Sequence, residues 1–109
     1  MRAPGTDGKE DERLANRFAS LAELVAGDAV YALARGWWRP ARVMSIGRRR
    51  VTVAFRPIGA TSRPVHTQTV VLTRLRRALD RAMPQHRCVA GEPPSQAEVD
   101  RARERGLLR

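Results

Sequence analysis

The sequence predicts a mainly β fold with flanking α-helices: a small, strongly curved sheet or barrel of four to five short strands. Three observations predict it. Short runs rich in Val, Thr and aromatic residues fill the region from 29 to 72, and apolar and polar residues alternate within them. Gly-containing turns separate those runs at short intervals. On either side, the apolar spacing changes to that of a helix. A chain of 109 residues with 42% hydrophobic residues is one domain with a core and little to spare.

Residues 1–8 contain Pro4, Gly5 and Gly8 and read as a disordered start. Asp7 followed by Glu10 has the form of a capping box. Leu14, Phe18, Leu21 and Val25 then recur at helical spacing up to Gly27, which predicts a helix over 9–26. A second reading starts a shorter turn at Ser20, which pairs with Glu23 as another capping box. The first strand is expected at Ala29 to Ala34, with Arg35-Gly36 as a tight connection. Trp37 to Ile46 is the second and Gly47-Arg48-Arg49 a turn. The third runs from Arg50 to Arg56, where Val51, Val53 and Phe55 alternate with Thr52 and Ala54. Pro57 to Pro64 is a loop, and Val65 to Leu72 the fourth strand. Arg74 to Met83 reads as a helix that Pro84 stops. A linker takes up 84–94. Ser95 and Glu98 then cap a last helix that Gly106 ends, with Val99 and Ala102 as its main apolar contacts.

Charge carries the functional signal. The formal net charge is +10, and 20 of the 21 basic residues are Arg, with Lys9 the exception. A GC-rich genome explains Arg over Lys, but not the excess of bases over acids. Residues 1–28 hold four bases and six acids, residues 89–109 four of each, and residues 29–88 thirteen bases against Asp80 alone. Such a block repels itself unless something acidic lies against it. Arg pairs with phosphate through two parallel hydrogen bonds and stacks on flat rings, so nucleic acid, DNA or RNA, is the expected partner. Arg48, Arg49 and Arg50 on a hairpin tip are placed to reach adjacent phosphates. Arg35, Arg39, Arg42, Arg56 and Arg63 extend the basic surface, although Arg39 and Arg42 fall on opposite faces of a strand. Arg74, Arg77 and Arg81 share one side of the expected helix. Trp37 and Trp38 point opposite ways, one into the core and one to solvent, where it stacks a base or packs against Phe18 and Leu21.

Catalysis is not expected. Asp80 is the only acid between 29 and 88, and no nucleophile triad or phosphate-binding glycine loop is present. His86 and Cys88 are too few to hold zinc, so neither metal nor cofactor is expected. One cysteine excludes an internal disulfide and fits a reducing, cytoplasmic setting. No run of about 18 apolar residues suggests a membrane span. A second function class remains open: an adaptor docking on an acidic protein partner, or a homo-oligomer in which an acidic N-terminus lies on a neighbour's basic middle.

Gly27 to Val43 reads GDAVYALARGWWRPARV. This stretch resembles the opening of a PWWP or Tudor-type domain, an SH3-like barrel of the Royal family. The matching positions are Gly27, Asp28, Val30, Tyr31 and Ala32, then Gly36, then Trp37, Trp38, Pro40, Ala41 and Val43, with Phe55 and Gly59 further on. The resemblance covers about 27–78. It implies an SH3-like barrel that binds rather than catalyses, with a basic DNA surface and an aromatic cage for methylated lysine near Tyr31, Trp38 and Phe55. The chain departs from the pattern at Arg39, where the family has Trp, and at Arg56-Pro57-Ile58 before Gly59. A guanidinium beside the cage repels an ammonium ligand, so a methyl-lysine or methyl-arginine reader is the least favoured function. The organisation expected is therefore 1–8 disordered, 9–26 helix, 27–78 barrel, 79–94 helix end and linker, and 95–109 C-terminal helix.

Overall fold

A computed structural model describes residues 15–56, 65–79 and 87–106. Five strands form one antiparallel sheet: β1 (Ala29–Ala34), β2 (Trp37–Ile46), β3 (Arg50–Phe55), β4 (His66–Val71) and β5 (Leu75–Arg76), in the order β4-β3-β2-β1-β5. The helix α1 (Gln96–Glu104) follows. The alternating runs of the sequence become these strands because each has one face to bury. Tight turns join β1 to β2 and β2 to β3. At the β1–β2 turn Arg35 and Gly36 both have positive φ, 54° and 80°. That is the two-residue hairpin whose twist matches that of its strands. Between Val43 and Ser45 the β2–β3 register shifts, a bulge that sharpens the local twist. The expected closure into a barrel is not made by hydrogen bonds, since β4 and β5 lie at opposite edges of the sheet order.

Both faces of the sheet are covered. On the first, Val30, Ala32, Ala34, Ala41, Val43, Val51, Val53, Phe55, Val70 and Leu75 join Leu24 in one apolar cluster, with Phe18, Leu21 and Leu72 against it. Three of the positions on β1 and β2 are alanines, which lets the curved strands approach closely. On the second face, Val99 and Ala102 of α1 pack on Ala54 and Val65, with Met44 at the border. The Ser20 and Ser95 caps act as the sequence suggests: Ser95 Oγ accepts from Glu98 N at 3.1 Å. Gly106, at φ 67°, closes the helix end. Replacing Val99 with Ala removes two buried methyl groups and is expected to cost about 2 kcal/mol in denaturant melts. A cost below about 0.5 kcal/mol would mean that the helix does not depend on this contact.

Two helical expectations are corrected. The long helix over 9–26 does not persist through its described part. Residues 16–20 hold turns and bends but no helix, and a 3-10 turn, Leu21–Glu23, follows the Ser20 cap. Local side-chain bonds outcompete the helix there. Glu23 accepts from the backbone N–H of Ser20 at 3.0 Å and from that of Ala19, and Asp28 Oδ2 accepts from Val25 N at 2.9 Å. These backbone donors, Ser20 first, hold the Glu23 carboxyl below its ordinary value, and Arg77 adds to the effect. The shorter reading starting at Ser20 is the one observed. Residues 1–8, and 9–14 of the expected helix, lie outside the described residues.

The helix expected over Arg74 to Met83 is replaced, as far as Leu79, by a 3-10 turn at Leu72–Arg74 and by β5. Leu75 pairs with Ala32 and is fully buried, so the free edge of β1 gains more from a strand than the segment gains from a helix. Residues 80–83 lie outside the described residues. The linker before α1 is tied down rather than loose. Val89 N donates to Trp38 O at 2.8 Å, and Pro94 is fully buried. No helix among the described residues is long and apolar enough to cross a membrane.

Candidate nucleic-acid interface

The fold divides the arginines of the middle block into two populations. Those of the first kind are part of the structure. Arg42 points to the α1 side of the sheet, where its Nε donates to Pro94 O and its Nη1 to Gly27 O, both at 2.6 Å. Arg56 is held by the C-terminal segment: Nε donates to Glu98 Oε2 at 3.2 Å, Nη1 to Glu92 O at 3.1 Å, and Nη2 to Glu98 Oε1. Arg77 pairs with Glu23 at 2.7 Å and lies over the Phe18 ring at 4.3 Å. Arg39 is buried, 5% exposed, with Nε donating to Ala34 O at 2.9 Å and its guanidinium 5.1 Å from the Phe55 centroid. Burial, and then the charge of Arg35, push its guanidinium below the ordinary arginine value. Arg39, Arg42 and Arg56 therefore leave the broad solvated patch that the sequence suggested, while Arg77 stays exposed but is paired with Glu23. Arg39 and Arg42 do fall on opposite faces, as alternation required.

The second population is exposed. Arg48, Arg49 and Arg50 occupy the tip of the β2–β3 hairpin, whose turn is closed by Gly47 N donating to Arg50 O at 2.8 Å. Among the described residues none of the three forms an ion pair or a side-chain hydrogen bond. They rim an open depression of about 580 Å³ with Ser45, Ile46, Gly47, Thr52 and Thr69. The Thr52 and Thr69 hydroxyls meet at 3.0 Å across β3 and β4. Register explains this lining: Ser45 pairs with Thr52 and Thr52 with Thr69, so all three side chains stand on one face. Three guanidiniums beside three hydroxyls form a set of donors suited to phosphate oxygens. Sequence reasoning found the arginines and missed Ser45, Thr52 and Thr69. The alternation of Thr52 with buried Val51 and Val53 was the available signal.

Arg35 and Arg74 are also exposed, but Arg35 belongs to the far turn of the sheet and Arg74 to a 3-10 turn instead of a helix. Arg63 and Arg81 lie outside the described residues, so the shared face of Arg74, Arg77 and Arg81 has no helix to carry it as far as Leu79. Trp38 is the buried member of its pair, with the Arg76 guanidinium 5.0 Å from its ring, and Trp37 is the exposed one at 37%.

The aromatic cage is not assembled. Alternation along β2, with Leu33 opposite Trp38 and Ala41 opposite Phe55, puts Trp38 and Tyr31 on one face and Phe55 on the other. Phe55 is 1% exposed, and the guanidiniums of Arg35 and Arg39 lie over its ring, where a cationic ligand is repelled. No family model, no curated protein and no solved structure matches the chain.

Proposed function

We propose that this chain is a non-catalytic module that binds DNA or RNA through phosphates at the β2–β3 hairpin, with little preference for sequence. The observation that carries the reading is the cluster of Arg48, Arg49 and Arg50, free of internal acids, around a depression lined by Ser45, Thr52 and Thr69. The fold already uses Glu23 and Glu98 to neutralise Arg77 and Arg56, yet places no acid on this tip. A surface built this way attracts a polyanion and reads its backbone rather than its base edges. We further infer an SH3-like barrel of the Tudor and PWWP kind. The return of β5 onto β1 after a 3-10 turn supports it, as does the Gly27 to Val43 motif lying on β1 and β2.

Binding to duplex DNA, single strands and structured RNA, measured across a series of salt concentrations, tests the proposal. The three tip arginines alone are expected to contribute a slope of about −2.7 to log affinity against log salt, and any further phosphate contact steepens it. Affinity independent of salt, or capture of an acidic protein that survives nuclease treatment in place of nucleic acid, overturns it.

A further inference from the structure

The end of the sheet opposite the hairpin tip holds a second cationic group. Arg35 and Arg39 bring their guanidinium carbons to 5.8 and 5.1 Å from the centroid of one ring, Phe55. Arg39 is nine-tenths buried, and its one hydrogen bond among the described residues uses Nε alone, toward Ala34 O. Its Nη donors therefore have no protein acceptor among the described residues. Arg35 is exposed and the Arg39 Nη atoms are not buried orphans, so both guanidiniums can be reached by an anion, with no carboxylate paired to either among the described residues.

The turn adds an independent observation. Arg35 is the one described non-glycine residue with positive φ, at 54°, in a position where Asn or Gly is ordinary. The hairpin requires this φ at both central positions, and it sets Arg35 at the tip with its side chain exposed. Trp37, exposed beside this turn, shares a face with Ala34 and Arg39 by register and alternation.

We propose that Arg35, Arg39 and Trp37 form a phosphomonoester site, with the two guanidiniums on the phosphoryl oxygens and the indole stacked on the adjoining base. A carboxylate carries one charge and leaves the other guanidinium unmatched. A phosphomonoester carries nearly two charges and three strong acceptor oxygens, enough for both forks. The group has two sources, the end of a nucleic-acid strand or a free phosphate or mononucleotide. The site depends on the nucleic-acid reading only for the strand that would deliver the phosphate.

The test uses the full chain and one oligonucleotide prepared with a 5′-phosphate and with a 5′-hydroxyl. The phosphorylated form is expected to bind at least about tenfold more tightly. Arg35→Asn installs the Asn-Gly pair that this hairpin favours, so it is expected to fold while losing that preference to within about twofold. Arg39→Gln is expected to lose it as well, and Arg35→Asn keeps the question open to decision if the buried replacement fails to fold. Replacing Arg48, Arg49 and Arg50 with Ala is expected to weaken both oligonucleotides equally and keep the ratio, which separates this site from the hairpin. In a second arm, the arginine side-chain N–H resonances are followed while inorganic phosphate, adenosine monophosphate, the 5′-phosphorylated strand or a Glu-rich peptide is added. Shifts of Arg35 and Arg39 with phosphate or nucleotide support the site and identify a free-ligand source, whereas shifts only with the phosphorylated strand identify a strand end. Equal binding of the two oligonucleotides by the wild type with no shift from phosphate or nucleotide, or shifts with the peptide alone, overturns the proposal.

Discussion

Replacing Arg48, Arg49 and Arg50 together with Ala is expected to lower affinity for nucleic acid by roughly a hundredfold at about 0.1 M salt, and to lower it evenly across sequences. The magnitude follows from counterion release. Each phosphate neutralised adds about 0.9 to the slope of log affinity against log salt, so three lost contacts flatten it by about 2.7. The three side chains are exposed and bonded to nothing among the described residues, and Gly47 keeps the turn. Thermal stability should therefore stay within a few degrees of the wild type. Equilibrium binding at several salt concentrations, beside a thermal melt, gives both readouts. An unchanged slope would place the phosphate contacts elsewhere, and a collapsed melt would make the arginines structural.

Arg42→Ala is expected to do the reverse. Its guanidinium donates to the carbonyl oxygens of Gly27 and Pro94 and so joins the chain entering β1 to the segment that leads into α1. Hydrogen bonds from a charged donor contribute about 1.5–3 kcal/mol each, and both carbonyls are left in a partly buried setting without it. We expect a loss of about 3 kcal/mol, which lowers Tm by about 15 °C in a domain of this size. The salt slope of the variant that remains folded should match the wild type. Arg42→Lys should recover only part of the loss, because a single ammonium does not span two carbonyls in the fork geometry. A variant with wild-type Tm and a flatter salt slope would move Arg42 into the binding surface.

These opposite expectations for Arg42 and Arg48 mark where the sequence stops being informative. β1 and β2 are legible to the residue, because alternation and the Arg35-Gly36 turn act over a few neighbouring positions. β3 and β4 are legible to within a residue for the same reason. The role of an arginine depends instead on partners distant in the chain: Arg42 on residues 15 and 52 positions away, Arg56 on Glu98, 42 positions away. No local pattern announces those bonds. The segment after β4 was misread for a related reason. Leu75 and Leu79 fit a helix by spacing, but the free edge of β1 accepts Leu75 as a strand residue. At the start of the chain, the capping box at Ser20 is formed, and Glu23 and Asp28 hold backbone donors that a helix continuing through 20–25 would need, while Asp7 and Glu10 lie outside the described residues. The candidate site was half legible. Arg48 to Arg50 stood out by charge, while the hydroxyls beside them required the register of three strands.

The central claim is that phosphate meets the protein at the hairpin tip. The most direct measurement is a titration of the isotopically labelled chain with a short oligonucleotide, followed by backbone amide and arginine side-chain resonances. The account predicts that the largest shifts fall on Ser45, Gly47 to Arg50, Thr52 and Thr69, and that added salt reverses them. Shifts concentrated on α1 and around Tyr31 and Trp38, with Ser45, Gly47 to Arg50, Thr52 and Thr69 unmoved, would contradict it.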